Sequence, residues 1–270
     1  MNNMKFSLQT TFIMLSLITV ASYGSLQATE VSGEDTKAYE IMKKASDLVD
    51  YKSISMKISL KTYNPSGGIR VREIESSSLS VPGVSKMIIR ISAPPDQKGI
   101  TMLIHDYPDK SDDMWIYLPS LRKSRRIVSS EKSSQFMGSE FLNSDMSRPR
   151  LEDYSHTLKD KTGAGEGEFW IIESVAVNES VVKESDFYKK ISYISKDENL
   201  CRKTEFYDKN GTLLRNQLIT KFIRNGPDKY IAAMMEVTNH KSGRRSTIEI
   251  TVVKEKEALR ENSFDPAMLR

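Results

Sequence analysis

The feature that most constrains this chain is an alternation of apolar and polar residues that restarts again and again along its length. In the first run Ile54, Met56, Ile58 and Leu60 alternate with Ser53, Ser55, Lys57, Ser59 and Lys61. This is the period of a strand with one buried and one wet face. Further runs of strand character are Ile69–Ser78, Lys86–Ser92, Thr101–His105, Met114–Leu118, Ser124–Val128, Tyr154–Leu158, Phe169–Val177, Tyr188–Ser195, Arg202–Tyr207, Leu213–Ile223, Tyr230–Thr238 and Thr247–Val253. Turn chemistry separates several of them, at Pro65–Gly68, Asp208–Gly211, Asn225–Pro227 and Lys241–Gly243. Strands joined by short polar turns form antiparallel meanders, so the expected fold is mainly β: a single large, strongly curved antiparallel sheet.

Four stretches depart from the alternation. Ala38, Ile41, Met42, Ala45, Leu48 and Val49 recur every three to four positions, which predicts an amphipathic helix over 35–49 with Ser32 or Asp35 as its cap. Ser129–Pro149 has no strand period but carries Phe136, Met137, Phe141, Leu142 and Met146 among serines. It reads as a short helix or an ordered loop lying across the sheet. Ser263–Arg270 predicts one last turn, capped by Asp265 with Pro266 in the first helical position.

At the other end, Lys5 is the only charge before Glu30, and the uncharged run Phe12–Ala21 is followed by small and polar residues. That pattern predicts a cleavable secretory signal peptide over residues 1–28. The apolar run, about 10 residues, is half what a membrane-spanning helix needs. No cysteine lies near the expected cut, so no lipid anchor is expected there. With no Pro/Gly/Ser-rich linker inside it, 29–270 reads as one soluble, exported domain.

Chemistry is conspicuous by its scarcity. Cys201 is the only cysteine, which excludes an intramolecular disulfide and reads as a plain strand residue. His105, His156 and His240 stand apart from one another, with no metal-binding spacing. Gly163–Gly167 has the wrong spacing for a dinucleotide site and reads as a hairpin turn. The acidic pairs Asp112-Asp113 and Glu152-Asp153 read as solvated loop residues. A net charge of +4, spread along the chain, makes no case for nucleic acid. The expectation is a non-enzymatic protein without cofactor or metal.

The most informative stretch is Asp112–Ile127, where Asp113-Met-Trp-Ile-Tyr-Leu-Pro119 is followed by Arg122-Lys-Ser-Arg-Arg-Ile127. Either this is an apolar strand followed by a solvated turn and edge strand, or aromatic and guanidinium groups together serve an amphiphile or a partner. Taken with Phe136-Met-Gly-Ser-Glu-Phe141, Lys98–Leu103, Asp153-Tyr154 and Tyr207–Gly211, it resembles the outer-membrane lipoprotein-sorting family related to the LolA and LolB carriers. The resemblance runs from about Tyr39 to Arg270.

It implies an incomplete antiparallel barrel, a half-barrel whose open mouth is covered by the N-terminal helix and short helices. The apolar concave face of such a barrel shelters acyl chains. On this chain the implied cavity lining is Met56, Ile58, Leu60, Met87, Ile89, Met102, Ile104, Trp115, Tyr117, Trp170 and Ile172, with Phe136, Met137 and Phe141 as a lid. Arg122, Arg125 and Arg126 would meet a headgroup or partner. Methionines such as Met56, Met87, Met102, Met137 and Met234 suit either variable lipid tails or ordinary core filling.

The function implied is a periplasmic carrier that takes lipoprotein or lipid cargo from an inner-membrane exporter of RND or ABC type towards an outer-membrane acceptor. The alternative is a lipoprotein- or lipid-sensing accessory module of an RND-type exporter on the same fold. An exported hydrolase using Asp113, Glu140, His105 and His156 is the third reading.

Overall fold

The computed structural model describes residues 33–51, 53–159, 168–255 and 260–269. The expected signal peptide over 1–28 and the expected hairpin turn at Gly163–Gly167 lie outside the described residues.

Helix α1 spans Gly33–Leu48 and is followed by β1 (Ile54–Tyr63), β2 (Ile69–Val81), β3 (Val84–Ala93), β4 (Thr101–Asp106), β5 (Asp113–Leu118) and β6 (Lys123–Ile127). After a segment of short 3-10 turns come β7 (Tyr154–Leu158), β8 (Phe169–Ala176), helix α2 (Glu179–Ser185), β9 (Lys189–Ser195), β10 (Cys201–Tyr207), β11 (Leu213–Arg224), β12 (Tyr230–Asn239) and β13 (Arg245–Glu255). Each run of strand character became a strand. Helix α2 was not anticipated: Asn178 caps it by accepting the N–H groups of Ser180 at 2.9 Å and Val181 at 3.1 Å.

Among the described residues thirteen strands form one antiparallel sheet in the order β6-β5-β4-β3-β2-β1-β13-β12-β11-β10-β9-β8-β7. The first and last strands pair in its middle, Leu60 opposite Ile248. The edges are therefore β6 and β7, which are consecutive in the chain and do not pair with each other. The sheet is an open half-barrel. Register shifts within the β1–β13, β2–β3, β9–β10, β10–β11 and β11–β12 pairs mark bulges, which bend strands locally.

Cross-strand partners share a face, so the ladder assigns each side chain to the inner or the outer surface. The inner face carries Met56, Ile58 and Leu60 from β1, Met87, Ile89 and Ile91 from β3, Met102 and Ile104 from β4, and Met114 and Ile116 from β5. Beyond β13 it continues through Met235 and Val237 to Ile194, Trp170 and Ile172. Helix α1 lies over the β7–β9 end of this face, with Ala38, Met42 and Ala45 packed on Ile172 and Ile194.

The outer face of β1 and β2 is polar, with Lys57 opposite Glu75 and Ser55 opposite Ser77. Over β3–β5 it carries an apolar patch, which the C-terminal turns cover: Phe264 and Leu269 pack on Leu103, Ile88, Trp115 and Tyr117. Asp265 caps the last turn as expected, accepting the Ala267 N–H at 2.8 Å with Pro266 behind it.

Candidate functional site

The two edge strands are joined by residues 128–153, and this connection is what covers the β2–β5 end of the inner face. It folds on itself as a small hairpin, with Phe136 N–H donating to Phe141 O at 2.8 Å and Asn143 N–H to Ser134 O at 2.9 Å. At its tip Met137 and Gly138 both have positive φ, 48° and 70°, conformations that a side chain resists. Phe136 and Phe141, both 1% exposed, join Leu60, Ile89, Met102 and Ile104 in one continuous apolar cluster. The segment is thus a plug of aromatic side chains seated on the sheet.

Polar clamps fix it at four places. Lys132, with a side chain only 4% exposed, reaches Asp112 at 2.5 Å, Ser111 at 2.6 Å and Glu184 of α2 at 3.2 Å. Glu140 accepts from Asn239 at 2.9 Å and lies 2.9 Å from Arg244 Nε, while its N–H donates to Ser246 Oγ at 3.0 Å. Asp145 takes both terminal nitrogens of Arg215. Arg148 donates to Val49 O at 3.2 Å, and its backbone N–H to Asp106 at 3.4 Å. Burial pushes the Asp106 carboxyl up to about 6.

Of the residues expected to line a cavity, Met56, Ile58, Leu60, Met87, Ile89, Met102, Ile104, Trp170 and Ile172 share the inner face. They fall into three adjoining clusters, Leu60 to Ile104 under the plug, Met56 and Ile58 with Ile231 and Ile250, and Trp170 and Ile172 under α1. Trp115 and Tyr117 require correction. Opposite Leu103 and Thr101, they sit on the outer face, under the C-terminal turns. Met234, opposite Glu249, likewise faces out, and its neighbour Met235 faces in.

Phe136, Met137 and Phe141 lie together in the covering segment, packed on the inner face. In this state the apolar surface is filled by these side chains. Open grooves of about 340 and 400 Å³ lie elsewhere, at Lys44 and Lys229 and at His105 and Pro266.

The arginines expected at a headgroup are exposed, Arg125 and Arg126 on the β6 edge and Arg122 in the turn before it, and two of them have partners already. Arg125 lies 2.6 Å from Glu131, and Arg126 pairs with Asp113. Charge on an exposed edge strand such as β6 also discourages pairing with other chains. The residue missed in the sequence is Arg72. It points to the inner face opposite Leu60 and is 3% exposed.

The titratable groups considered for catalysis are engaged in structural roles. His156 lies between Ser174 Oγ at 2.8 Å and Leu151 O at 3.0 Å, and His105 donates from Nε2 to Phe264 O at 2.8 Å. Burial holds both imidazoles below their ordinary range. Burial also raises the Cys201 thiol, keeping it protonated and unreactive.

Solved structures share this architecture. A domain from Vibrio parahaemolyticus assigned to outer-membrane lipoprotein sorting matches with a TM-score of 0.78 and 26% identity, over 87% of this chain and 99% of that one. A DUF1329 family protein from Desulfovibrio piger matches with a TM-score of 0.78 and 21% identity, over 88% and 100%. A LolA superfamily protein from Nitrosomonas europaea matches with 0.65 and 20%, over 84% and 97%. The last two show the shared fold. A protein-family model described as "-like: Uncharacterized protein" matches residues 83–270. No curated protein matches. The chain thus belongs to the family of that model, and its fold is similar to that of the Vibrio parahaemolyticus lipoprotein-sorting domain and of the Nitrosomonas europaea LolA superfamily protein.

Proposed function

We propose that the protein is a periplasmic carrier that takes acyl chains of a lipoprotein or lipid onto the inner face of the half-barrel, between an inner-membrane exporter and an outer-membrane acceptor. The observation that carries this reading is the way the inner face is covered. A sheet of this size normally buries its apolar face under a second permanent layer. Here half of that cover is a hairpin with little regular structure, inserting Phe136 and Phe141 and tied down at its margin by polar clamps. Aromatic side chains on such a segment can be exchanged for an acyl chain of similar polarity.

The energetics suit exchange. Burial of a C16 chain is worth roughly 10 kcal/mol at ~0.8 kcal/mol per methylene, before ordering costs. Against that stands the apolar burial of two phenylalanines, about 2–3 kcal/mol each, and the clamps. Cargo therefore replaces the plug without any covalent step, and reseating of the plug assists release.

Native mass spectrometry of protein purified without detergent tests the reading. Retained lipid, or stoichiometric uptake of hexadecanoate after delipidation, is the expected result. A protein that neither retains nor accepts an acyl chain would contradict it. Transfer to acceptor vesicles separates a carrier from a protein that binds and only signals.

A further inference from the structure

Among the described residues, Arg72 is a buried cation without a counter-ion. Its Nε donates to Gln97 Oε1 at 2.6 Å, but among the described residues it forms no ion pair, and Nη1 is buried with no hydrogen-bond partner. Its charged neighbours make matters worse: Arg70 and Arg244 repel it, and only Asp96 attracts it from beyond ion-pair distance. Glu140, the buried carboxylate of this region, is taken by Arg244 and Asn239. A guanidinium removed from water is costly unless an anion or a full set of acceptors meets it.

The position of this cation is informative. Leu60, opposite it, and Ile74, two residues on, belong to the apolar cluster that holds Phe136 and Phe141. The plug's tip lies directly on it: a Cβ on Gly138 would come 3.3 Å from Arg72 Nη2, and Arg244 donates to Gly138 O at 3.3 Å. The unsatisfied Nη1 therefore stands at the rim of the surface that the plug vacates when it lifts.

We infer that Arg72, supported by Arg244, receives the oxyanion head of an amphiphile whose chain lies on the inner face, so that the cargo is anionic at the end nearest the Met137–Gly138 tip. This rests on the carrier reading and adds to it the polarity of the cargo and its direction in the groove. A carboxylate or phosphate oxygen would supply the acceptor that Nη1 lacks.

The test is binding of four probes to delipidated protein: hexadecanoate, hexadecyl phosphate, methyl hexadecanoate and inorganic phosphate. Wild-type protein should bind both anionic C16 probes roughly tenfold to a hundredfold more tightly than the methyl ester, the span of one charge-assisted hydrogen bond. Arg72→Met should bring them to the level of the ester and leave the ester unchanged. Arg72→Lys, which keeps the charge and loses the fork, should fall between.

Equal binding of ester and anions by wild-type protein, or anion affinity unchanged in Arg72→Met, would overturn the inference while leaving the carrier intact. Arg72-dependent binding of inorganic phosphate, with no preference among the C16 probes, would overturn it in favour of a free anion. If no C16 probe binds wild-type protein, the carrier reading fails and the inference with it. Comparison of the probes on wild-type protein needs no variant to fold.

Discussion

Arg215 of β11 grips Asp145 of the covering segment with both terminal nitrogens, at 2.6 and 2.9 Å, and stacks its guanidinium over Phe206 at 4.1 Å. The carboxylate also accepts the Leu142 N–H at 2.8 Å. One ion pair thus holds the plug to the sheet and shapes the plug's own turn. Because both side chains are largely buried, Asp145→Asn should cost about 3 kcal/mol, most of it the uncompensated Arg215. Urea denaturation measures it, and adding Arg215→Met should restore much of the loss. Additive losses would show that the two residues act separately.

Phe141→Ala should cost about 3–4 kcal/mol in delipidated protein, the range for truncating a buried phenylalanine. With an acyl chain on the inner face the same truncation should cost much less, because the chain occupies the space Phe141 has left. The difference in Tm between wild type and variant, with and without hexadecanoate, checks this.

The pH dependence has two opposing parts. Asp106 titrates at about 6 in the fold, above its unfolded value of ~3.9. The folded state therefore binds the extra proton between these values, and stability falls as pH rises through that window and levels off above about 6. His105 and His156 are held neutral by burial, so they cost stability as pH falls below ~6.5. Asp106→Asn isolates the first part. Its Tm advantage over wild type should be near zero below about pH 4, grow between about pH 4 and 6, and level off above that; a constant difference would contradict the assignment.

Gly138→Ala should destabilise by about 1–2 kcal/mol, since φ is 70° there, and should also press the new methyl towards Arg72. Thermal melts measure the loss, and a neutral substitution would show that the tip takes another conformation.

The sheet was legible because most strands are wet on one face, and Ile54 to Leu60 mark the other unambiguously. The alternation fails where both faces are covered. In Met114-Trp-Ile-Tyr-Leu118 every side chain is apolar, so residue type could not say which of Trp115 and Met114 faces in. The answer depends on Phe264 and Leu269, some 150 residues away, sealing the outer face.

Arg72 was hidden by a similar conflict. Ile69 and Val71 look like inward residues but are 61% and 42% exposed, and the arginine beside them takes the inner position. The expected headgroup arginines are a cluster in sequence; in space Arg122 lies in the turn before β6, while Arg125 and Arg126 on that edge strand pair with Glu131 and Asp113. Helix α2 is only seven residues long, too short for periodicity, and its one local signal was Asn178 as a cap.

The central claim is that acyl chains lie on the inner face, where Phe136 and Phe141 now sit. The chain has two tryptophans, Trp115 on the outer face and Trp170 on the inner. In a Trp170→Phe background Trp115 serves as an outer-face control, and Phe136→Trp adds an indole at the plug. Titration with brominated hexadecanoate should quench the added indole and leave Trp115 bright. Quenching of Trp115 alone, or of neither, would contradict the account.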